Sequence, residues 1–180
     1  MYKVAMSPDT TTIYADLAYL GSAERYVQDV AEVVEHIALF DDFTESEIVA
    51  LAHYMICYSA PKDYTLLNEG DSGDYLLLLL SGGAVVQKKI ENLGSHNIAE
   101  IGIGSILGEM SLLDGHHRFA SCITTKPTNF SVLTRASLNE ILIYSPRLGN
   151  KFLLIILQMM ADRIRASCDR FLPAVYGSIV

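Results

Sequence analysis

An unbroken run of apolar residues, Tyr75 to Leu80, is the feature that most restricts how this chain can fold. The run is far shorter than the roughly 20 residues that a membrane-spanning helix needs. It also lacks the polar positions that a strand or helix with one solvated face would carry. Turn-forming residues bound it at Asn68 to Asp74 and at Ser81 to Gly83. The run therefore predicts a strand that is buried on both faces.

From Pro61 to about Leu142, short apolar segments alternate with turn-forming residues in the same way. Further turns are predicted at Glu91 to Asn97, Gly102 to Ser105 and Asp114 to His116. Phe130 to Thr134 is predicted as the last strand before the chain returns to helix. Several short strands at this spacing are typical of an antiparallel sandwich or barrel.

A helix is predicted immediately before this β region. Thr44 can cap it, and Glu47, three residues later, can complete a capping box. The helix is expected to end near Ser59 to Pro61. Its buried stripe is predicted to contain Ile48, Leu51 and either Tyr54 or Met55.

Helical spacing is also found at both ends of the chain. Apolar residues recur at helical intervals from Tyr26 to Phe40, and Ser22 can cap that segment. Ser137 to Tyr144 begins the return to helix after the β region. The longest amphipathic stretch, from Leu148 to Cys168, is expected to end at Pro173. A helical lead-in, a β core and a long final helix are thus predicted to form one unit.

Composition limits the classes of function. The 180 residues are 51% hydrophobic and carry a formal charge of −8 without a cluster of Lys or Arg, which argues against a nucleic-acid partner. The N-terminus does not resemble a signal peptide, and no apolar run is long enough to cross a membrane. Cys57, Cys122 and Cys168 are too far apart to suggest disulfides or a zinc site. We therefore expect a soluble protein of the reducing cytoplasm.

The stretch from Ile106 to Ser121 is the one that suggests chemistry. It places two glycines, a short helix-forming segment and a single arginine, Arg118, among apolar residues. Backbone N–H groups at the start of a short helix and a guanidinium can then converge on one anion. The planar guanidinium of Arg118 can donate two parallel hydrogen bonds to a phosphodiester, and Glu109 can accept from a sugar hydroxyl.

This stretch resembles the phosphate-binding cassette of cyclic nucleotide-binding domains. Gly108 to Leu113 and Arg118 match the family's Gly-Glu pattern and the usual gap to its arginine. The resemblance extends from about Leu39 to Arg165. It includes the Glu-Gly-Asp-x-Gly-Asp hairpin at Asn68 to Asp74 and the Leu-Ser-Gly turn at Leu80 to Gly82. It implies an α+β fold in which a jelly-roll β-sandwich, the double-stranded β-helix of this family, is flanked by N-terminal helices and a long C-terminal helix.

The resemblance also implies roles for individual residues. Arg118 would hold the cyclic phosphate and Glu109 the ribose 2′-hydroxyl. Backbone amides near Gly108, Met110 and Ala120 would complete the cradle. The full set of residues expected to bind the ligand is Gly108, Glu109, Met110, Ser111, Arg118, Phe119 and Ala120.

Two positions depart from the family pattern. Phe119 stands where a small, often hydroxylated residue usually follows the arginine, and His117 stands where a proline often precedes it. Phe119 either stacks on the base of the ligand or fills the pocket. If it fills the pocket, the chain is a degenerate module that uses the apolar face of its last helix for assembly and binds no cyclic mononucleotide.

Three further alternatives concern single residues. Arg118 could be a structural arginine, paired with Glu109, Asp114 or a backbone carbonyl. The pair His116 and His117 could indicate a metal-dependent enzyme of the cupin type, but adjacent residues in an extended chain point to opposite faces. Arg163 and Arg165 could cap the base of a ligand, although a solvated face is the favoured interpretation of both. The expectation is therefore no metal, no catalytic residue and no enzymatic activity.

The sequence thus predicts a helical extension at residues 1–38, a cyclic nucleotide-binding domain at 39–172 and a tail at 173–180. It is expected to be a stand-alone sensor that binds cAMP, or alternatively cGMP, and signals through its terminal helices. The expected partners are the cyclic nucleotide, an unidentified protein effector and a second copy of the chain, with no nucleic acid and no membrane.

Overall fold

A computed structural model describes residues 13–23 and 43–176, with side chains as far as residue 170. The helices and strands within these ranges, numbered in chain order, are β1 (Ala18–Ser22), α1 (Glu45–His53), β2 (Ile56–Ala60), β3 (Thr65–Leu67), β4 (Tyr75–Leu79), β5 (Ala84–Ile90), β6 (Gly94–Ile101), β7 (Ile106–Leu107), α2 (Glu109–Asp114), β8 (Ser121–Thr124), β9 (Thr128–Thr134), α3 (Arg135–Tyr144) and α4 (Pro146–Tyr176).

The strands of the described part of the chain form two antiparallel sheets. One has five strands in the order β1-β2-β9-β4-β7, and the other has four in the order β3-β8-β5-β6. Non-consecutive strands lie side by side in both, as expected for a jelly roll. The sandwich is not closed into a barrel, and the long helix α4 follows it. The predicted fold class is confirmed.

Strand β4 is buried on both faces, as predicted. It lies between β9 and β7, with Leu77 opposite Val132 on one side and Leu107 on the other. Leu77 and its inner-face neighbours meet the four-stranded sheet in one core cluster. Leu76 and Leu78 point the other way, into a second cluster formed with the helices. Since full burial of such a side chain contributes about 1.5–3 kcal/mol, this strand anchors both halves of the core.

Helix α1 begins as predicted but ends earlier. Thr44 accepts from the backbone N–H of Glu47, and the Glu47 carboxylate accepts from the N–H of Thr44, which completes the capping box. The expected end near Pro61 is wrong, because the helix stops at His53 and Ile56–Ala60 forms strand β2. Strand β2 pairs with β9 and with β1, so partners distant in sequence override the local helical spacing.

The two ends of the chain also differ from the local prediction. Residues 13–16 form a turn, and Ala18–Ser22 forms strand β1 at the edge of the five-stranded sheet instead of part of a helix. The helical spacing at residues 26–40 lies outside the described residues. The expected end of the last helix at Pro173 is wrong, because α4 continues to Tyr176 although a proline removes one hydrogen bond and crowds the preceding turn. The boundaries at residues 38 and 172 remain a prediction.

The hairpin between β5 and β6 is tighter than predicted. Gly94–Ile101 is a strand, so the turn comprises only residues 91–93 of the range predicted at Glu91 to Asn97.

None of the helices in the described part of the chain has the length and hydropathy needed to cross a membrane.

Candidate functional site

The short helix α2 and the extended segment after it form the candidate site. Gly108 precedes the helix and Gly115 follows it, each with φ of +75°, a conformation that favours glycine. The two glycines therefore fix the ends of α2. Its first amides have no intrahelical acceptor, because an α-helix leaves its first N–H groups unpaired.

Arg118 is buried beneath this loop, with 4% of its surface exposed. Its Nη1 donates to the carbonyl of Gly108 and its Nη2 to the carbonyl of Tyr75, both at 2.9 Å. The guanidinium carbon lies 4.5 Å from the centre of the Tyr75 ring. A Cβ atom on Gly73 would overlap the guanidinium. The arginine is thus held flat between a ring and a glycine.

The charge of Arg118 is not neutralised by any carboxylate of the described residues. Glu109 forms its ion pair with Arg163, and Asp114 contacts His116. Of the predicted alternatives for Arg118, only the pairing with backbone carbonyls is observed. A buried guanidinium without a counter-ion is costly, and an anion beside it would relieve that cost. The site can therefore accept an anion.

The backbone around Arg118 is fixed by the hairpin at residues 68–74. The Arg118 N–H donates to the carbonyl of Asp71 at 2.7 Å, and the Gly70 N–H donates to the carbonyl of Arg118 at 2.9 Å. The Glu69 N–H donates to Ser121 Oγ at 2.9 Å. The Glu-Gly-Asp hairpin noted in the sequence thus positions the arginine.

Glu109 connects the candidate site to helix α4. Only 3% of its surface is exposed, and its carboxylate accepts from Nη1 of Arg163. The Nη2 of Arg163 donates to the carbonyl of Ile106 at 2.6 Å. Arg163 is exposed, as a solvated face predicts, but it also pairs with the buried Glu109. Arg165 is exposed and pairs with Asp162 on its own helix.

Phe119 points away from the guanidinium of Arg118. It is 58% exposed, and its ring centre lies 4.3 Å from the Nζ of Lys88. This Nζ donates to the Phe119 carbonyl at 2.6 Å and to Glu69 Oε1 at 2.8 Å. The ring that contacts the guanidinium of Arg118 is that of Tyr75. Sequence reasoning did not select Lys88 or Tyr75, because their roles depend on strands that meet only in the fold.

The other predicted residues are distributed over the same loop. Met110 is 46% exposed on the outer side of α2, whereas Ser111 is buried. The carbonyl of Ser111 accepts from Nη2 of Arg135 at 2.8 Å, so this carbonyl is occupied by a protein partner. Ala120, two residues after Arg118 in the sequence, is buried. The structure thus brings Gly108, Glu109 and Arg118 together and leaves the side chain of Met110 outside.

Cys122 lies on strand β8 near the charged groups of the site. Burial raises the pKa of its thiol to about 12, and the negative charge of Glu109 acts in the same direction. The thiol is therefore protonated and unreactive at neutral pH. No group of three or more possible metal ligands occurs among the described residues.

Comparison with known proteins identifies the family. The cyclic nucleotide-binding domain model matches residues 58–144. The crystal structure of a cyclic nucleotide-binding domain from Methylobacillus flagellatus KT is 48% identical to this chain. It has a TM-score of 0.83, and the match covers 91% of this chain and 92% of the other.

Two more distant relatives are a transcriptional regulator and a catabolite activator protein. A CRP-like cAMP-activated global transcriptional regulator of Mycobacterium tuberculosis is 20% identical over 82% of this chain, which spans 64% of that relative's length. The catabolite activator protein of Thermus thermophilus is 25% identical with a TM-score of 0.66, over 77% of this chain and 62% of that protein. Through the cassette, the jelly roll and the close match to the Methylobacillus domain, this chain belongs to the cyclic nucleotide-binding domain family.

Proposed function

We propose that this chain is a regulatory module that binds a cyclic purine mononucleotide, cAMP first and cGMP second. In this proposal Arg118 pairs with the cyclic phosphate and Glu109 accepts from the ribose 2′-hydroxyl. Amides at Gly108, Met110, Ser111 and Ala120 surround the phosphate, and Phe119 stacks on the base. The choice of cAMP is supported by the name of the Mycobacterium relative, which describes activation by cAMP.

One observation carries this proposal. Arg118 is buried, fixed on both sides by Tyr75 and Gly73, and has no carboxylate partner among the described residues. Two neutral carbonyls satisfy N–H groups of the guanidinium but supply no counter-charge, so the buried charge of Arg118 stays unneutralised. Arg118 is therefore a buried cation in a fixed position, with which the phosphate of a nucleotide can pair.

Calorimetric titration with cAMP, cGMP and cyclic di-GMP tests the proposal. We expect saturable binding of cAMP with the tightest Kd. Arg118→Ala should weaken it about a hundredfold, since it removes two charge-assisted hydrogen bonds of about 1.5 kcal/mol each. Arg165→Ala, which removes an exposed arginine of α4, is the matched control and should bind normally. Absence of heat with all three nucleotides would refute the proposal.

The pair between Glu109 and Arg163 supports signalling through α4. The carboxylate that would accept from the ribose already accepts from Arg163, whose second nitrogen donates to the carbonyl of Ile106. A bound ribose would compete with this arginine for the same buried oxygens. We propose that this competition loosens α4 when the nucleotide binds, because a ligand shifts an equilibrium only through contacts that differ between its two states.

Comparison of cAMP with 2′-deoxy-cAMP tests this competition. Amide hydrogen exchange along α4 should accelerate around Arg163 with saturating cAMP and should change little with the deoxy analogue. In Arg163→Gln, exchange there should already be fast and insensitive to either ligand. An identical response to both nucleotides in the wild type would show that Glu109 does not control the helix.

A second copy of the chain is the proposed partner of α4. Leu154, Leu157 and Ile164 are 60%, 57% and 62% exposed. Together with Ala161 and Cys168 they recur at intervals of three and four residues, the spacing of a coiled-coil seam. Two such helices packed along this seam would bury these side chains in a homodimer.

The alternative function is a degenerate module that assembles but binds no cyclic mononucleotide. Its distinguishing residue is Phe119, which is exposed against Lys88. If the ring occludes the pocket, Phe119→Ala will create or strengthen cAMP binding. If the ring stacks on the base, the same variant will weaken binding by about 1 kcal/mol, or about fivefold.

The remaining parts of the proposal concern context. We propose that the module acts through a protein effector, has no catalytic output and works in the cytoplasm without contacting nucleic acid or membrane. The cytoplasmic location is supported by the three cysteines, whose odd number and wide spacing suggest no disulfide framework. Absence of cyclic nucleotide hydrolysis during prolonged incubation of the purified protein with cAMP would support a non-enzymatic role.

A further inference from the structure

The segment at residues 13–22 precedes the part of the chain that the family model matches, yet it packs into the sandwich. Strand β1 extends the five-stranded sheet by pairing with β2, with Tyr19 opposite Tyr58. Before it, the turn closed by the hydrogen bond from Leu17 N–H to the Tyr14 carbonyl lies against the inner core. This turn places Tyr14 at the gap between the two sheets.

Tyr14 fills that gap as an aromatic wedge. It is 5% exposed. Its ring centre lies 5.1 Å from that of Phe130 and 5.4 Å from that of Tyr58, both on the five-stranded sheet. Its hydroxyl donates to the carbonyl of Leu66, on the four-stranded sheet, at 2.6 Å. The residue therefore connects the two sheets.

The wedge also contacts the residue that supports Arg118. The rings of Tyr14 and Tyr75 are edge to face, with centres 6.0 Å apart, and their hydroxyl oxygens are 3.5 Å apart. The Tyr75 ring also lies 4.5 Å from the guanidinium carbon of Arg118, and the Tyr75 carbonyl accepts from Nη2 of Arg118. Burial raises the pKa of Tyr14 well above its ordinary value, so its hydroxyl remains a donor at neutral pH. A continuous contact path thus runs from Tyr14 to the proposed anion site.

We propose that Tyr14 is a positioning residue for Arg118, and that residues 13–22 belong to the nucleotide-binding unit. The inference rests on the proposed function for its ligand and on the contacts above for its geometry. When the Tyr14 ring is removed, the Tyr75 ring can move into the gap between the sheets. The guanidinium of Arg118 then loses its contact with the Tyr75 ring. Because coupling between two sites is reciprocal, bound nucleotide also holds the segment in place.

The test compares Tyr14→Ala and Tyr14→Phe with Tyr19→Ala. Tyr19 is 49% exposed on the same segment and contacts Tyr58 but belongs to neither the wedge nor the proposed site. We expect Tyr14→Ala to raise the Kd for cAMP about tenfold, and Tyr14→Phe, which keeps the ring, by less than about threefold. Tyr19→Ala should leave the Kd unchanged. If the alanine variant does not fold, Tyr14→Leu removes the ring while keeping apolar volume, and the same tenfold loss is expected.

A second readout separates this inference from the proposed function. The Nε–Hε signal of Arg118, observed by nitrogen-15 NMR in the protein without nucleotide and assigned through Arg118→Lys, reports the support of the guanidinium directly. It should shift, and exchange faster with water, in Tyr14→Ala but not in Tyr19→Ala. An unchanged signal overturns the inference whether or not the wild type binds cAMP.

A double-variant cycle checks the path. If Tyr14 acts through Tyr75, the Arg118 signal in Tyr14→Ala combined with Tyr75→Leu should match that of Tyr75→Leu alone. Additive changes in the two variants would show that Tyr14 affects the site only through general stability.

Discussion

At the scale of single residues, the site depends on two glycines, Gly73 and Gly108, whose lack of a side chain leaves room for the Arg118 guanidinium. A Cβ atom on Gly73 would occupy the place of the Arg118 guanidinium, and a Cβ atom on Gly108 would also overlap its Nη1. The cassette glycine and the arginine could be predicted from the sequence, because their spacing is distinctive. The contact of Gly73 with Arg118 could not, because it joins two loops far apart in the chain.

Gly73→Ala is predicted to damage binding more than folding. The added methyl group must displace the guanidinium or the hairpin, at a cost of about 1–3 kcal/mol for overpacking. If this cost appears as a loss of binding free energy, the Kd for cAMP should rise about tenfold. Gly102→Ala is the matched control, since nothing lies within 4 Å of a Cβ atom there. Equal affinities of the two variants would contradict the tight placement of Arg118.

At the scale of elements, local patterns predicted the segments whose partners lie nearby. The capping box of Thr44 and Glu47 and the strand at Tyr75 to Leu79 were predicted because a local hydrogen bond or a continuous apolar run determines each. Strand β2 was predicted as helix, because Ile56–Ala60 continues the helical spacing and only β9 and β1 make it a strand. The ion pair between Glu109 and Arg163 could not be predicted either, because it forms only where α4 packs against the cassette.

The contact between α1 and α4 is predicted to make stability depend on pH. Lys151 Nζ lies 2.7 Å from the Glu47 carboxylate, and hydrogen bonds from Lys151 and Thr44 lower the pKa of this carboxyl group. A lowered pKa in the folded state means that the contribution is present above the ordinary value of Glu and is lost as pH falls through the lowered value. Melting temperature should therefore decrease from pH 7 to pH 3.

Glu47→Gln tests the origin of this dependence. Glutamine can still complete the capping box, but it cannot ionise. Its melting temperature should be lower than that of the wild type at pH 7, and the difference should shrink as pH falls through the lowered pKa of Glu47. A constant difference across this range would show that the ion pair with Lys151 contributes nothing.

At the scale of the whole molecule, ligand binding and folding are linked. A nucleotide that binds only the folded state at 100 times its Kd adds about 2.7 kcal/mol of stability. For a chain of this size, that corresponds to a rise in melting temperature of about 5–10 °C. Calorimetry should show this rise with cAMP, and Arg118→Ala should show almost none. A rise that persists in Arg118→Ala would place the ligand elsewhere.

Assembly through α4 predicts a specific cross-link. In a parallel pair of helices joined along the proposed seam, the exposed Cys168 of each copy faces its counterpart, whereas Cys57 and Cys122 are buried. Mild oxidation should yield a disulfide-linked dimer that Cys168→Ser abolishes. Sedimentation velocity of the reduced protein should give the dimer without any cross-link. A monomer at about 100 μM would contradict the seam.

The aromatic wedge also has a consequence for biosynthesis. Tyr14 leaves the ribosome early, but it packs against Phe130, which belongs to the last strand to be made. Until that strand emerges, the hollow that receives the tyrosine is incomplete, and contacts between such distant residues form slowly. A nascent chain released before β9 would therefore carry every residue of the cassette and still be unable to hold its arginine in place.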